Sequence, residues 1–228
     1  MLTKINFIKQ AYNPNFKLIE TIFFHNKFTF LNEHLARLEE SSRRLFFDIN
    51  IDNISQQLLD YANSKLEPNK RYKVRLEYDY YGELIIEHII INNYNQEKIG
   101  LIICLENINS QNQLLRYKTT HHSTRGFYTK MSNKYLNYTD QKCELIFVNE
   151  KNNITETRFH NVIVEIDGKK YTPRLEDGAL DGIYRKIMIE SKEIFVKSIS
   201  LEEFENASAI YIINSVRGII PAFLKGTR

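Results

Sequence analysis

Residues 71–91 read RYKVRLEYDYYGELIIEHIII, two runs of β-branched and aromatic residues on either side of Tyr81-Gly82. That pattern predicts two antiparallel strands and a tight turn. The same signature recurs along the chain. LIETIFF and KFTF, joined at His25-Asn26, predict a hairpin over Leu18 to Phe30. Leu101 to Leu105 is an apolar strand, CELIFVN, ITET, NVIVEI and KKYT follow with Gly168 turning the last pair, and AIYIIN comes near the end. Helical spacing fills the gaps. Asn32 reads as an N-cap before His34-Leu35, Leu38, Ser42 and Leu45-Phe46, and a second helix is expected from Ile54 to about Lys65, before Pro68. Others are expected from Thr124 to Tyr138, from Gly182 to Ser191, and over the acidic LEEFEN. Hairpins with interspersed helices predict an α+β fold and not a doubly wound parallel sheet. NINSQNQL, residues 107–114, is polar and aperiodic. It reads as a linker between a small N-terminal lobe, 1–106, and a larger C-terminal lobe, 115–228.

The 228 residues are 43% hydrophobic and 26% charged, enough for one or two cores. A net charge of +3, with no basic run longer than a pair such as Arg43-Arg44, argues against a nucleic-acid partner. Cys104 and Cys143 lie on apolar runs without metal-ligand spacing and read as buried thiols of a reducing cytoplasm. The first residues, MLTKINFIKQ, lack a signal-peptide apolar core, and no apolar run approaches the roughly 20 residues a membrane span needs. A soluble cytoplasmic protein is expected. His121-His122 has no His or Cys partner at ligand spacing, so no metal site is read there. Ser123-Thr124 lacks the glycines of a nucleophile elbow.

Three features do carry chemistry. Lys118 stands among the uncharged Tyr117, Thr119 and Thr120, a setting in which an amine can be desolvated towards a working pKa. Glu156 precedes a short hairpin. Gly182 opens a helix whose first N–H groups, at Ile183 and Tyr184, face out of the helix end with the dipole behind them. A lysine for the aldehyde, a carboxylate for the pyridine nitrogen and an anion-ready helix start are the parts a pyridoxal-phosphate site requires.

Five patches resemble the class IV aminotransferases, the fold-type IV pyridoxal-phosphate enzymes, and most nearly their aminodeoxychorismate lyase branch. They are Leu18-Ile19-Glu20-Thr21 with His34-Leu35-Ala36-Arg37-Leu38; Arg71-Tyr72-Lys73-Val74-Arg75; Lys118-Thr119-Thr120; Glu156, Asn161, Thr172-Pro173, Gly178, Gly182-Ile183 and Arg185; and Asn214-Ser215-Val216-Arg217-Gly218 with Pro221. The resemblance runs from about Phe16 to Pro221. It implies two lobes of D-amino-acid-aminotransferase-like fold with the cofactor in the cleft between them, and a homodimer. It implies Lys118 as the cofactor-bearing amine and proton carrier, with Thr21 as a hydroxyl relay. Glu156 would hold the pyridine nitrogen. Arg37, the Ile183 and Tyr184 N–H groups and the Ser215 hydroxyl would hold the phosphate, and Arg75 and Arg217 a substrate carboxylate. The implied reaction is release of pyruvate and 4-aminobenzoate from 4-amino-4-deoxychorismate; transamination of a branched-chain or D-amino acid is the alternative. Three positions depart from the pattern: Thr157-Arg158-Phe159 replaces a run of small residues, Tyr184 a threonine, and Ser123 a tyrosine of some transaminases.

Overall fold

The computed structural model describes residues 16–92, 97–137 and 142–227, so the chain start and Tyr138 lie outside the described residues. Two compact units result: residues up to 93 together with Lys118–His121, and the remainder.

The first unit is a four-stranded antiparallel sheet in the order β2-β1-β3-β4, with β1 Lys17–His25, β2 Lys27–Phe28, β3 Tyr72–Asp79 and β4 Leu84–Ile90. On β3, Tyr72, Val74, Leu76 and Tyr78 are buried while Lys73, Arg75 and Glu77 are half-exposed, the period of two expected when one face meets the core. Helices α1 (Leu31–Leu45) and α2 (Ile51–Lys65) supply that core with Leu38, Leu45, Ile54 and Leu58. Helix α1 begins at Leu31 and not after Asn32. The β1–β2 hairpin closes with Thr29 N–H on the Phe23 carbonyl at 2.9 Å, and left-handed Phe30 turns the chain straight into the helix. Helix α2 starts three residues earlier than expected, because the Asn50 side chain caps it by accepting from Asn53 N–H at 2.9 Å.

In the second unit eight strands run in the order β10-β9-β8-β11-β12-β5-β6-β7, and β7 pairs back onto β8, so the sheet closes into a barrel. The strands are β5 Ile99–Ile108, β6 Cys143–Asn149, β7 Ile154–Thr157, β8 Asn161–Ile166, β9 Lys169–Thr172, β10 Phe195–Val196, β11 Ala209–Asn214 and β12 Gly218–Thr227. The central strands are buried on both faces, which is why they read as continuous apolar runs. Leu101, Ile103, Ile146, Val148, Val162 and Ile212 form one core. The alternate residues Ile102, Cys104, Leu145 and Phe147 meet Tyr128 and Met131 of α3 (Phe127–Tyr135). Met188 of α4 (Ile183–Glu190) packs with Ile163 and Ile213. A short capped helix, α5, spans Leu201–Glu205.

Three expectations are corrected here. β5, read as part of the first lobe, pairs in parallel with both β12 and β6 of the second. The presumed linker belongs to the same unit: Ile108 ends β5, and Asn109 and Asn112 accept from Gln111 and Leu114 N–H in tight turns before a 3₁₀ turn over Gln113–Arg116. Its polarity is that of side chains satisfying turn backbone. Cys143 is half-buried, not core, and accepts from Lys225 Nζ at 3.4 Å. β12 was not foreseen at all; Pro221 in its middle opposes the reading of a central strand. Among the described residues no helix is long and apolar enough to cross a membrane.

Candidate active site

Lys118 is placed by β1. Its carbonyl accepts from Ile19 N–H at 2.9 Å, Thr120 N–H donates to the Lys17 carbonyl at 3.0 Å, and Lys17 N–H donates to Thr120 Oγ1 at 2.8 Å. Thr119, fully buried, sits opposite Leu18 as an antiparallel bridge. The segment is thus one more short strand laid along β1. Strand alternation puts Lys118 on the face opposite Thr119 and Leu18, the face that Ile19 and Thr21 occupy. Thr21 stands across from Arg75 in the β1–β3 register. The Arg75 guanidinium contacts Glu77 at 2.6–2.8 Å, and Lys17 Nζ approaches the same acid at 3.5 Å.

On the other face of β1, Glu20 is 2% exposed and gathers two partners from α1. Arg37 donates to it through Nε at 2.8 Å and Nη2 at 2.7 Å, and His34 Nδ1 lies 2.6 Å away. Burial alone raises the Glu20 pKa, but the charges and hydrogen bonds of Arg37 and His34 overcome it and hold the carboxyl well below the usual range. Burial lowers the His34 pKa; Glu20 opposes this, while Arg37 and Lys118 add to it. His34 Nε2 is buried with no hydrogen-bond partner among the described residues. The parallel two-bond contact fixes the plane of the Arg37 guanidinium. Sequence reading named Glu20 and His34 only as motif positions, because their meeting requires α1 to fold across β1.

In the second unit Glu156 of β7 lies opposite Asn161 of β8 and is 6% exposed. It accepts from Tyr128 O–H at 3.2 Å, Leu180 N–H at 3.1 Å and Asn161 Nδ2 at 3.3 Å. All three donors are neutral. Burial therefore dominates and pushes its pKa up to about 7, with Arg125, the Leu180 N–H, Tyr128 and Arg185 opposing. The same Asn161 amide donates to the Leu180 carbonyl at 2.9 Å. A Cβ on Gly182 would fall 1.9 Å from Asn161 Oδ1, so any side chain here would displace Asn161. Asn161 thereby joins the acid to the start of α4, where Ile183 and Tyr184 open the helix. Arg185, 3% exposed, donates to the Pro173 carbonyl at 2.8 Å and contacts Asp181 at 3.4 Å, bracing the loop that leads into the helix. Ser215 and Arg217 lie in the β11–β12 turn, where Asn214 Oδ1 accepts from Val216 N–H at 3.0 Å and Arg217 N–H at 2.7 Å.

The donor set fits pyridoxal phosphate. A buried carboxylate whose hydrogen-bond donors are all neutral and whose pKa is raised is the counterpart that a protonated ring nitrogen would need.

Comparison with known proteins gives the same direction. Residues 17–222 match the family described as amino-transferase class IV. A Schizosaccharomyces pombe protein provisionally named an aminodeoxychorismate lyase is 22% identical over 211 residues, 91% of this chain and 89% of that one. A Mesorhizobium loti crystal structure, provisionally named an amino-acid aminotransferase, superposes with a TM-score of 0.82 at 30% identity, covering 92% of this chain and 99% of that chain. The 4-amino-4-deoxychorismate lyase from Pseudomonas aeruginosa superposes with a TM-score of 0.72 at 21% identity, covering 92% and 83%.

Proposed function

This chain belongs to the amino-transferase class IV family, and from that premise we propose that it is a pyridoxal-phosphate-dependent 4-amino-4-deoxychorismate lyase. The observation that carries the cofactor assignment is Glu156, an acid buried among neutral donors. The lyase assignment is supported by Lys118-Thr119-Thr120 and the Asn214–Gly218 turn, which resemble that branch, and by the names of the relatives above.

When bound, the cofactor supplies an electron sink for the carbon that bears the substrate nitrogen. Glu156 holds the ring nitrogen protonated. Arg37, its plane set by Glu20, would hold the phosphate, and the Ile183 and Tyr184 N–H groups and Ser215 would be further donors to it. Lys118 would hold the cofactor through its aldehyde. The Lys118 amine would remove the proton from the substrate carbon bearing nitrogen, with the Thr21 hydroxyl as relay. The enol ether C–O bond breaks, the departing methylene is protonated to give pyruvate, and the ring becomes aromatic as 4-aminobenzoate. Arg75 and Arg217 take substrate carboxylates. Aromatisation makes the elimination favourable, so the residues need only orient the substrate and move one proton. The protein works as a cytoplasmic homodimer, and its product serves folate synthesis.

Transamination is the second reading, favoured by the name of the Mesorhizobium loti relative. Incubation with cofactor and aminodeoxychorismate separates the two. Release of 4-aminobenzoate and pyruvate without added keto acid is expected. Its absence, together with transfer of an amino group from an amino acid to 2-oxoglutarate, would replace the lyase by the transaminase.

A further inference from the structure

Two hairpin tips of the second unit are tied together beside Glu156. Between β7 and β8 the chain turns through Thr157, whose Oγ1 accepts from His160 N–H at 3.0 Å and Phe159 N–H at 3.3 Å. The Phe159 ring stays 52% exposed. The Arg158 guanidinium lies 4.6 Å from its centroid and the Arg125 guanidinium 5.8 Å. Arg125 Nη1 also donates to the Arg158 carbonyl. The β11–β12 turn joins the same tip: Asn214 Nδ2 donates to the Phe159 carbonyl at 3.2 Å while its Oδ1 holds the Arg217 N–H. Arg125 and Arg158 therefore share one corner with a half-exposed aromatic ring, and the Arg217 backbone adjoins it.

Glu144, whose charge reaches Arg158, is already engaged by His160 Nδ1 at 3.0 Å. Arg158 Nε is buried and has no hydrogen-bond partner among the described residues. A buried guanidinium N–H with no acceptor is costly until one arrives. A carboxylate is the acceptor whose geometry the guanidinium fork matches. The apolar ring face beside it suits an unsaturated carbocycle.

We propose that Arg158 and Phe159, with Arg125 and Arg217, form a recognition site for an unsaturated ring compound with two carboxylates, one on the ring and one on its ether side chain. This deepens the lyase reading, on which it rests, by giving the Arg158-Phe159 departure from the family's small residues a purpose. A branched-chain amino acid carries a single carboxylate and no unsaturated ring, and gains nothing from such a corner.

The test uses binding to the cofactor-loaded protein and needs no turnover. Isophthalate and benzoate are titrated calorimetrically against wild type, Arg158→Ala, Arg158→Lys and Phe159→Ala. Wild type is expected to prefer isophthalate by about tenfold or more, the scale of one charge-assisted hydrogen-bonded contact. Arg158→Ala should abolish the preference, Arg158→Lys should retain part of it, and Phe159→Ala should weaken both ligands together. Equal affinities in wild type, failure of either ligand to bind, or a preference undiminished in Arg158→Ala and Arg158→Lys overturns the proposal. If Arg158→Ala fails to fold, Arg158→Lys and the wild-type ratio still decide. A ring-dicarboxylate preference in a protein that releases no 4-aminobenzoate would overturn the lyase reading and leave the site standing.

Discussion

Glu156→Gln isolates the energetic cost of the buried acid. The Glu156 pKa rises from an ordinary 4.5 to about 7 on folding. The folded chain thus holds this proton more tightly than the unfolded chain. Stability is greatest below the unfolded value and falls as pH rises from about 4.5 to about 7, beyond which the full penalty applies. At 1.36 kcal/mol per unit, the gap is worth about 3 kcal/mol. Glutamine keeps the shape: its oxygen accepts from Leu180 N–H and its amide donates to the Tyr128 oxygen. Urea unfolding of the cofactor-free protein, measured from about pH 5 to about pH 8, should show wild type losing up to ~3 kcal/mol while the variant stays nearly flat. In melting temperature the difference is roughly 6–12 °C for a chain of this size. Glu20, whose pKa is lowered, acts outside this window, because its contribution is complete above the unfolded value and is lost as pH falls below it. Added pyridoxal phosphate should remove most of the wild-type slope by supplying a cationic partner. Parallel curves for wild type and Glu156→Gln across the window would refute the argument, because the proton would then lie elsewhere.

Lys118→Ala should abolish both the visible absorption of the cofactor-loaded protein and turnover; a variant that keeps turnover removes Lys118 from the chemistry. Glu20→Gln strips Arg37 and His34 of their buried counter-charge and should cost about 3–5 kcal/mol in denaturant unfolding. A loss within ~0.5 kcal/mol, the range of surface substitutions, would show that the cluster contributes little. Gly182→Ala drives a methyl into Asn161 Oδ1, with an expected cost of about 1–3 kcal/mol and a weakened cofactor affinity in spectroscopic titration; an unchanged affinity would disconnect Asn161 from the site. Leu58→Ala, which empties a fully buried position under the first sheet, should cost ~2–5 kcal/mol without moving the cofactor affinity.

Local signals survive wherever neighbours in sequence are neighbours in space. The 71–91 hairpin, the hairpin at His25-Asn26 and the helix after Gly182 follow from composition and turn residues within a few positions. The placements that failed depend on distant pairing. β5 belongs with the second unit through β12, more than a hundred residues downstream, a pairing that no local window contains. β12 itself was overlooked because its half-exposed pattern and Pro221 mimic a loop. Asn32 looked like a cap until the hairpin closure at Thr29 fixed the helix start ahead of it.

The candidate site divides the same way. Lys118, Glu156 and the Gly182 helix start stand out as residue types, and the order of residues alone singles them out as parts for carbonyl-amine chemistry. It also determines which segments are strands and helices. Folding decides their electrical state. Glu20 and Glu156 are the same side chain, both buried, yet the first meets a guanidinium and an imidazole from α1 and the second meets neutral donors from three separate segments. One is held ionised and the other is left poised near neutrality, because charge in a low-dielectric interior is set by the groups gathered around it, and those come from parts of the chain that only tertiary packing brings together.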